Sequence, residues 1–199
     1  MGDSLIRLNL GCGSNAKPGW INVDRFDTFK PDVVTDLEKF PWPWPDGYAD
    51  EVLLNHVLEH LGAHPDVYIA VMREIWRVCR DGATVSIVVP DPRHDDFLSD
   101  PTHVRPVTAQ GLRLFSRRLN EEWMRGGYAD TPLAMYHGVD FELISHRMVL
   151  EEPWAAELNA GRISDEELAK AMARFNNVVK EQHFVLRVVK RRPAAPYGV

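Results

Sequence analysis

Three stretches of this chain hold residues whose types and spacing suit chemistry. The first is LNLGCGSNAKPGWINVD at residues 8–24, where an apolar run ends in Gly11-Cys12-Gly13 and a carboxylate, Asp24, follows. Letter by letter, Gly11 to Ala16 satisfies the G-x-G-x-x-G/A loop that holds dinucleotide pyrophosphates. The second, DPRHDDFLSDPTHVRP at residues 91–106, crowds His94, Asp95, Asp96, Asp100 and His103 into one segment. The third is His56-Val57-Leu58-Glu59-His60, two histidines at i and i+4 with an acid between them. It differs from the H-E-x-x-H helix of zinc proteases, because its acid adjoins the second histidine and His56 closes a strand-like run. We read Glu59 or His60 as facing a pocket rim or capping a helix start.

The first pattern fails a test of length. A pyrophosphate loop needs a helix behind it, whose free N–H groups and dipole hold the negative charge. Residues 14–23 separate Gly13 from Asp24, and Pro18-Gly19 interrupts them before Trp20 opens the next apolar run. At most about one turn of helix fits there, short of a usual crossover. The dinucleotide motif also expects its acid about twenty residues on, so a nicotinamide-dependent oxidoreductase is disfavoured. A ligand with ribose, adenine and an amino-acid end but no phosphate asks for less. Two glycines allow close backbone approach, one carboxylate takes both ribose hydroxyls, and a second acid meets the adenine amino group. S-adenosyl-L-methionine (SAM), cationic at sulfur and free of phosphate, meets these demands.

The elements that must position these residues alternate in the first half. Apolar runs at 5–10, 21–23, 33–35, 51–55 and 83–89 stop at Gly11, Asp24, Asp36, His56 and Pro90-Asp91. Near-continuous apolar runs suit strands buried in a parallel sheet, where ligands bind outside the carboxyl ends. Residues 65–80 predict a helix, with Ile69, Met72, Ile75, Trp76 and Cys79 at helical spacing, Pro65 at its start and Asp81-Gly82 as its stop. A shorter helical segment is predicted at 57–61. Farther on, 92–106 reads as a long loop, 108–119 as a helix with Thr108 as N-cap, and 141–150 and 183–189 as strands. A capping box of Ser164 and Glu167 opens a helix running to about Lys180. Residues 191–199 read as a frayed tail.

The series LNLGCGSN, INVD, DVVTDLEKFPWPWPDGYADEVLLNHVLEHL and ATVSIVVPDP resembles the class I SAM-dependent methyltransferases, especially small bacterial ones whose fourth strand runs into an HVLEHL helix. The resemblance covers residues 5–90, and the segment 141–189 is compatible with the antiparallel final strands of that family. It implies that Gly11, Cys12 and Gly13 line the methionine part of SAM and that Asp24 binds the ribose. Asp36 and Leu37 would flank the adenine, and Asn55 and His56 would sit beside the methionine end. Family members carry a full helix in the first crossover. Here Ser14, Asn15 and Lys17 are expected to replace its donors to the methionine carboxylate. The predicted fold is α/β: a doubly wound, mostly parallel Rossmann-like sheet of about seven strands, with an antiparallel C-terminal hairpin, helices on both faces and a shortened first crossover. We expect one domain over residues 1–190, with 92–140 as a substrate-side lid.

The expected activity is transfer of a methyl group from SAM to an O or N of a small-molecule or glycan-like acceptor. A non-catalytic SAM-fold partner or sensor is the alternative. His103 is the preferred base and His94 the second, because the segment leaves the fifth strand and should pass over the methyl group. That segment is read as loop structure, substrate contact or, least favoured, a metal site. No metal is assigned, although mixed His and carboxylate ligands would suit Zn, Fe or Mn better than Mg. Arg105, Arg113, Arg117, Arg118 and Arg125 form a basic stretch, read first as a solvated, ion-paired face and second as a site for an anionic acceptor. Arg113 and Arg117 are expected on one helix face. Trp123, Tyr128, Met135, Tyr136 and His137 suit either an acceptor wall or core beneath a lid, and Trp42 and Trp44 are expected at the sheet edge near the adenine. The net charge of −6 argues against nucleic acid as a partner. No membrane segment or signal peptide is read, Met1-Gly2-Asp3-Ser4 running straight into a strand, and Cys12 and Cys79 suggest no disulfide framework. A cytoplasmic location is expected, and the oligomeric state is unknown.

Overall fold

The computed structural model describes residues 5–190. Its strands are β1 Arg7–Leu10, β2 Ile21–Asp24, β3 Val33–Val34, β4 Ala49–Asn55, β5 Cys79–Pro90, β6 Phe141–Leu150 and β7 Val179–Val188. They form one sheet of seven strands in the order β3-β2-β1-β4-β5-β7-β6. The first five run parallel, while β7 lies antiparallel between β5 and β6. Parallel neighbours share their carboxyl ends, so Leu10, Asp24, Val34, Asn55 and Pro90 finish along one edge of the sheet. That edge collects the polar endings predicted from sequence.

Alternating strand residues give the sheet a dry and a wet face. Leu8, Leu10, Val52, Leu54, Val85, Ile87, Phe184 and Leu186 are almost wholly buried. They share one core cluster with Val71, Met72, Ile75 and Val78 of helix α1 (Pro65–Val78), and with Leu112 and Phe115. Residues of the other parity, among them Arg7, Glu51, Leu53, Thr84, Ser86, Val88 and Arg187, stay half-buried or exposed. Among the described residues the helical contacts to the main core cluster gather on the dry face. Handedness explains it. Right-handed crossovers leaving β1 in opposite directions put their connections on opposite faces. The β2 side has only residues 11–20 and 25–32 as connections, and neither holds an α-helix.

Several elements sit elsewhere than predicted. The segment at 57–61 is a single 3-10 turn, Leu58–His60. Helix α1 stops at Val78, and Asp81-Gly82 lies inside β5, exposed where the β4–β5 register shifts between Ala49 and Glu51. The 92–106 loop contains a short helix, α2 (Asp95–Ser99). The single helix expected at 108–119 is two, α3 (Ala109–Arg113) and α4 (Arg117–Gly126). Thr108 caps α3 as predicted, but Ser116 caps α4, and Asp140 accepts the Arg117 amide at 2.9 Å, so Arg113 and Arg117 share no continuous face. Helices α5 (Leu133–His137) and α6 (Trp154–Asn159) carry no strong sequence pattern and were not anticipated. The Ser164–Glu167 capping box is present on α7 (Asp165–Arg174), which ends earlier than predicted because β7 begins at Val179. The predicted tail at 191–199 lies outside the described residues, as do residues 1–4. No helix among the described residues is long and apolar enough to cross a membrane.

Trp42 and Trp44 are core residues, 2% and 7% exposed, packed edge to face rather than covering an open sheet edge. What holds them is polar. Arg77 donates to both Glu74 oxygens at 2.7 and 2.8 Å, to the Trp44 carbonyl at 2.9 Å and to the Trp42 carbonyl at 3.2 Å. The Trp42 amide in turn donates to Glu74 Oε2 at 2.7 Å. Burial pushes the Glu74 carboxyl up, but Arg77 and the Trp42 amide outweigh it and hold the group below its usual range. We predict that Arg77→Ala, which strands Glu74, lowers stability by about 3 kcal/mol in chemical denaturation. The wild-type contribution is present at neutral pH and lost as pH falls through and below about 4.3, the ordinary glutamate value. Arg77→Ala should therefore flatten the acid limb of the stability profile.

Candidate functional site

The turn after β1 is built to come close to something. Gly11 has φ +67°, and a Cβ there would lie 2.5 Å from Val57 Cγ2, so only glycine fits beneath that side chain. Gly13 has φ +48°, and a Cβ there would meet nothing within 4 Å. The turn is tied to the next strand: the Cys12 amide donates to Val23 O at 2.9 Å and the Gly13 amide to Asp24 Oδ2 at 2.8 Å. Asp24 Oδ1 accepts from the Phe26 amide at 3.0 Å. Both carboxylate oxygens are thus oriented by one backbone donor each, and each keeps a further lone pair.

Without a helix, the crossover at 11–20 is held by side-chain amides. Asn9 and Asn22 occupy paired positions on β1 and β2 and are 2% and 8% exposed. Asn9 Nδ2 donates to Asn22 Oδ1 at 2.9 Å and to Asn15 O at 3.0 Å. Asn22 Oδ1 also accepts the Lys17 amide at 2.7 Å, while its Nδ2 reaches Lys17 O, Trp20 O and Asp32 Oδ2. Asp32 closes the set by accepting the Asn22 amide at 2.7 Å, and these two bonds hold its carboxyl below the usual range. Sequence reading missed this clamp, although its signal was there: an asparagine flanked by apolar residues in each of two adjacent short strands.

Gly11, Cys12, Asn15 and Asn55, with Lys17, Asn9 and Leu53, line one cavity of ≈ 310 Å³ between the ends of β1 and β4. Asp24 touches this group through Gly13. Asp36 and Leu37 lie beyond β3; Asp36 Oδ1 accepts the Glu38 amide at 3.0 Å, its Oδ2 is 3.6 Å from Arg25, and Leu37 is buried with its carbonyl on Trp42 Nε1. His56 turns the chain off β4 with φ +54°, a left-handed conformation unusual outside glycine. Its Nε2 lies 3.2 Å from Glu181 of β7 and its Nδ1 3.5 Å from Glu59. Glu59 above all, then Glu181, raises the His56 pKa against the opposing effect of burial. The residues therefore fit SAM: open space over Gly13, a preset carboxylate at Asp24, and the donors Asn15, Lys17 and Asn55 at the other end.

The segment after β5 is pinned at both ends. Asp91 accepts from Arg93 N and from Gln182 of β7, and the Val104 and Arg105 amides both donate to Glu59 O, at 2.9 and 3.1 Å. The two predicted bases then part ways. His94 caps α2, accepting the Asp96 amide on Nδ1 at 3.0 Å, while Nε2 sits 3.1 Å from Glu151 Oε2. Both its ring nitrogens are engaged in local structure. His103 instead comes beside the β4 turn, stacked on Phe97 and edge-on to His60, whose ring centroid is 4.6 Å away. Its Nδ1 donates to Phe97 O at 2.9 Å, and its Nε2 lies 3.8 Å from Asp100 Oδ2.

The basic stretch is mostly self-satisfied. Arg117 pairs with Glu121 and Arg118 with Glu122, each at i+4, and Arg105 donates to Gly62 O at 2.7 Å with its guanidinium over the Tyr68 ring. A larger cavity of ≈ 480 Å³, lined by Gln110, Arg113, Arg118, Trp123 and Glu142 among others, lies elsewhere. Glu142 is in register with Arg187, Thr84, Glu51 and Arg7, the strand row farthest from the glycine turn, so this cavity is remote from the carboxyl edge. Tyr128, Met135 and Tyr136 are exposed and form no core.

Residues 12–87 match a family described as methyltransferase domain. Among curated proteins no sequence matches the chain. Among solved structures, a SAM-dependent methyltransferase from Archaeoglobus fulgidus is similar at a TM-score of 0.62 and 19% identity, over 93% of this chain and 86% of that one. A SAM-dependent methyltransferase from Methanosarcina mazei gives 0.53 and 12%, over 96% and 95%. Phosphoethanolamine N-methyltransferase 2 from Haemonchus contortus, solved in complex with SAM, gives 0.53 and 13%, over 96% of this chain and 50% of that one. At these identities the structures speak for the fold. The matched segment runs from the glycine turn through Asp24 and Asp36 into β5, and the chain has the fold of these SAM-dependent methyltransferase structures.

Proposed function

We propose that the chain methylates an O or N atom of a small-molecule or glycan-like acceptor, with SAM held at the carboxyl edge of β1, β2 and β4. The observation that carries this is the 2.8 Å bond from the Gly13 amide to Asp24 Oδ2, which makes the glycine turn and the ribose carboxylate one preformed unit. SAM, when bound, supplies an electrophilic methyl group on a cationic sulfur. Charge disperses during such a transfer, so the protein's main work is alignment and exclusion of water. In our reading Asp24 takes the ribose hydroxyls, Asp36 and Leu37 flank the adenine, and Gly11, Cys12, Gly13, Asn15, Asn55 and His56 surround the methionine end. Val57, seated over Gly11, limits access of water from that side. Residues 92–140 form the acceptor side, where His103, its Nε2 3.8 Å from Asp100 Oδ2, serves the acceptor as base. His94, engaged on both nitrogens, is assigned to holding α2.

Nothing in the first crossover favours a dinucleotide, because the helix its pyrophosphate needs does not follow Gly13. Calorimetric titration with SAM, its demethylated product and NAD tests the reading; SAM and the product should bind, and tight NAD binding without SAM would overturn it. Asp24→Ala should weaken SAM by about 1–3 kcal/mol, roughly ten- to a hundredfold, and wild-type affinity in that variant would put the ribose elsewhere. His103→Ala should keep SAM affinity while turnover falls by about a hundredfold or more. Unchanged turnover would remove His103 from the reaction.

A further inference from the structure

Among the described residues, Glu59 is the least comfortable. It sits in the 3-10 turn after β4 with 0% exposure, and neither carboxylate oxygen has a hydrogen-bond partner among the described residues. The nearest cationic group is His56, at 3.5 Å and outside hydrogen-bond geometry. A desolvated carboxylate with no donors is costly unless a counter-charge meets it. His56 meets the Glu59 carboxylate from one side, and two further imidazoles are in reach: one donor atom each from Glu59, His60 and His103 lie within 4.8 Å of one another.

Both imidazoles are already oriented as ligands. Thr102 gives its hydroxyl proton to Asp100 Oδ1 at 2.6 Å, so the 2.9 Å contact between Thr102 Oγ1 and His60 Nδ1 requires His60 to be the donor. His103 donates through Nδ1 to Phe97 O. In each ring Nδ1 is fixed by an oxygen, so the neutral imidazole carries its lone pair on Nε2, the arrangement found around metal-bound histidines; Asp100 Oδ2 lies 3.8 Å from His103 Nε2, beside the three. The Val104 and Arg105 amides bind the Glu59 carbonyl, which clamps the loop bearing His103 onto the turn bearing the other two residues.

We propose that Glu59, His60 and His103 bind a divalent first-row transition-metal ion. Two imidazoles and one carboxylate suit Zn²⁺, Fe²⁺ or Mn²⁺, whereas Mg²⁺ and Ca²⁺ prefer oxygen ligands throughout. Tetrahedral bonds of about 2.1 Å space ligand atoms about 3.4 Å apart, so the side chains close on the ion by roughly an ångström. Three protein ligands leave a coordination position open, two residues along the chain from the valine that covers Gly11. Binding of the ion does not depend on the methyltransferase reading, whereas the role of the ion rests on it. On that reading, with the ion bound, His103 acts on the acceptor through the ion and not directly: the ion holds a hydroxyl oxygen of the acceptor and lowers its pKa, which makes oxygen the methylated atom.

The test uses the full chain stripped with a chelator, then titrated with Co²⁺ by visible absorption and with Zn²⁺ by calorimetry, Mg²⁺ serving as the control. We expect one equivalent of Co²⁺, displaced by Zn²⁺ and not by Mg²⁺. His60→Gln and His103→Gln should each weaken Zn²⁺ more than tenfold while SAM still binds. Glu59→Gln should lose the ion yet raise the melting temperature of the metal-free protein, since it removes a buried charge, so misfolding would not explain its loss. Absence of saturable binding by the wild type, or undiminished binding in Glu59→Gln or in both histidine variants, overturns the proposal. SAM binding without the ion removes the metal and leaves the methyltransferase reading intact; ion binding without SAM does the reverse.

Discussion

The amide group of Asn22 is the interaction on which the cofactor side is built. Parallel strands joined by a short linker leave that linker's backbone groups without a helix to satisfy them, and a buried unsatisfied amide costs about 1–3 kcal/mol. Asn22 accepts from Lys17 and Asn9 and donates to Lys17, Trp20 and Asp32, so one side chain replaces much of the hydrogen bonding a first helix would provide. With the linker held, the glycine turn keeps a single shape, and the Gly13 amide can meet Asp24. Everything assigned to the ribose and methionine ends follows from that closure.

The loop that follows β5 is organised by a second constraint, again at a strand end. His56 leaves β4 in a left-handed conformation, which swings Val57 over Gly11 and starts the turn that buries Glu59. The Glu59 carbonyl then receives the loop that follows β5, and this brings His103 to His60. The two halves of the site therefore meet at residues 56–60, with Gly11 beneath Val57 on one side and His103 beside His60 on the other.

Much of this arrangement was legible in the chain. The apolar runs ending at Gly11, Asp24, Asp36, His56 and Pro90 do mark strands sharing one edge, and Pro18-Gly19 does exclude a helix from the first crossover. The consequence for the second sheet face was not drawn, because a strand's buried face is set by the connections around it as much as by its own residues. Leu53 and Val88 look as apolar as Leu54 and Ile87, yet only the latter pair has α1 to pack against. The break between α3 and α4 depends on Asp140, far along the chain, and no local pattern reports it. His94 and His103 share a segment and a residue type. Only the structure gives their different partners, Glu151 and Asp96 for the first, Phe97 and Asp100 for the second.

A sheet covered on one side has a further implication for how this chain tolerates change. The core is a single layer, so the stabilising contribution of β4 and β5 falls on alternate positions: Val52, Leu54, Val85 and Ile87 each carry a full share of packing, while Leu53, Ser86 and Val88 carry little. Substitution in these strands should obey an odd–even rule sharper than in a fold sandwiched between two helical layers. The asparagine clamp is the exception to that rule. Asn9 and Asn22 lie at opposed positions on the wet face, yet they are nearly as enclosed as the core, and they make the lightly built face as intolerant at that spot as the heavily built one.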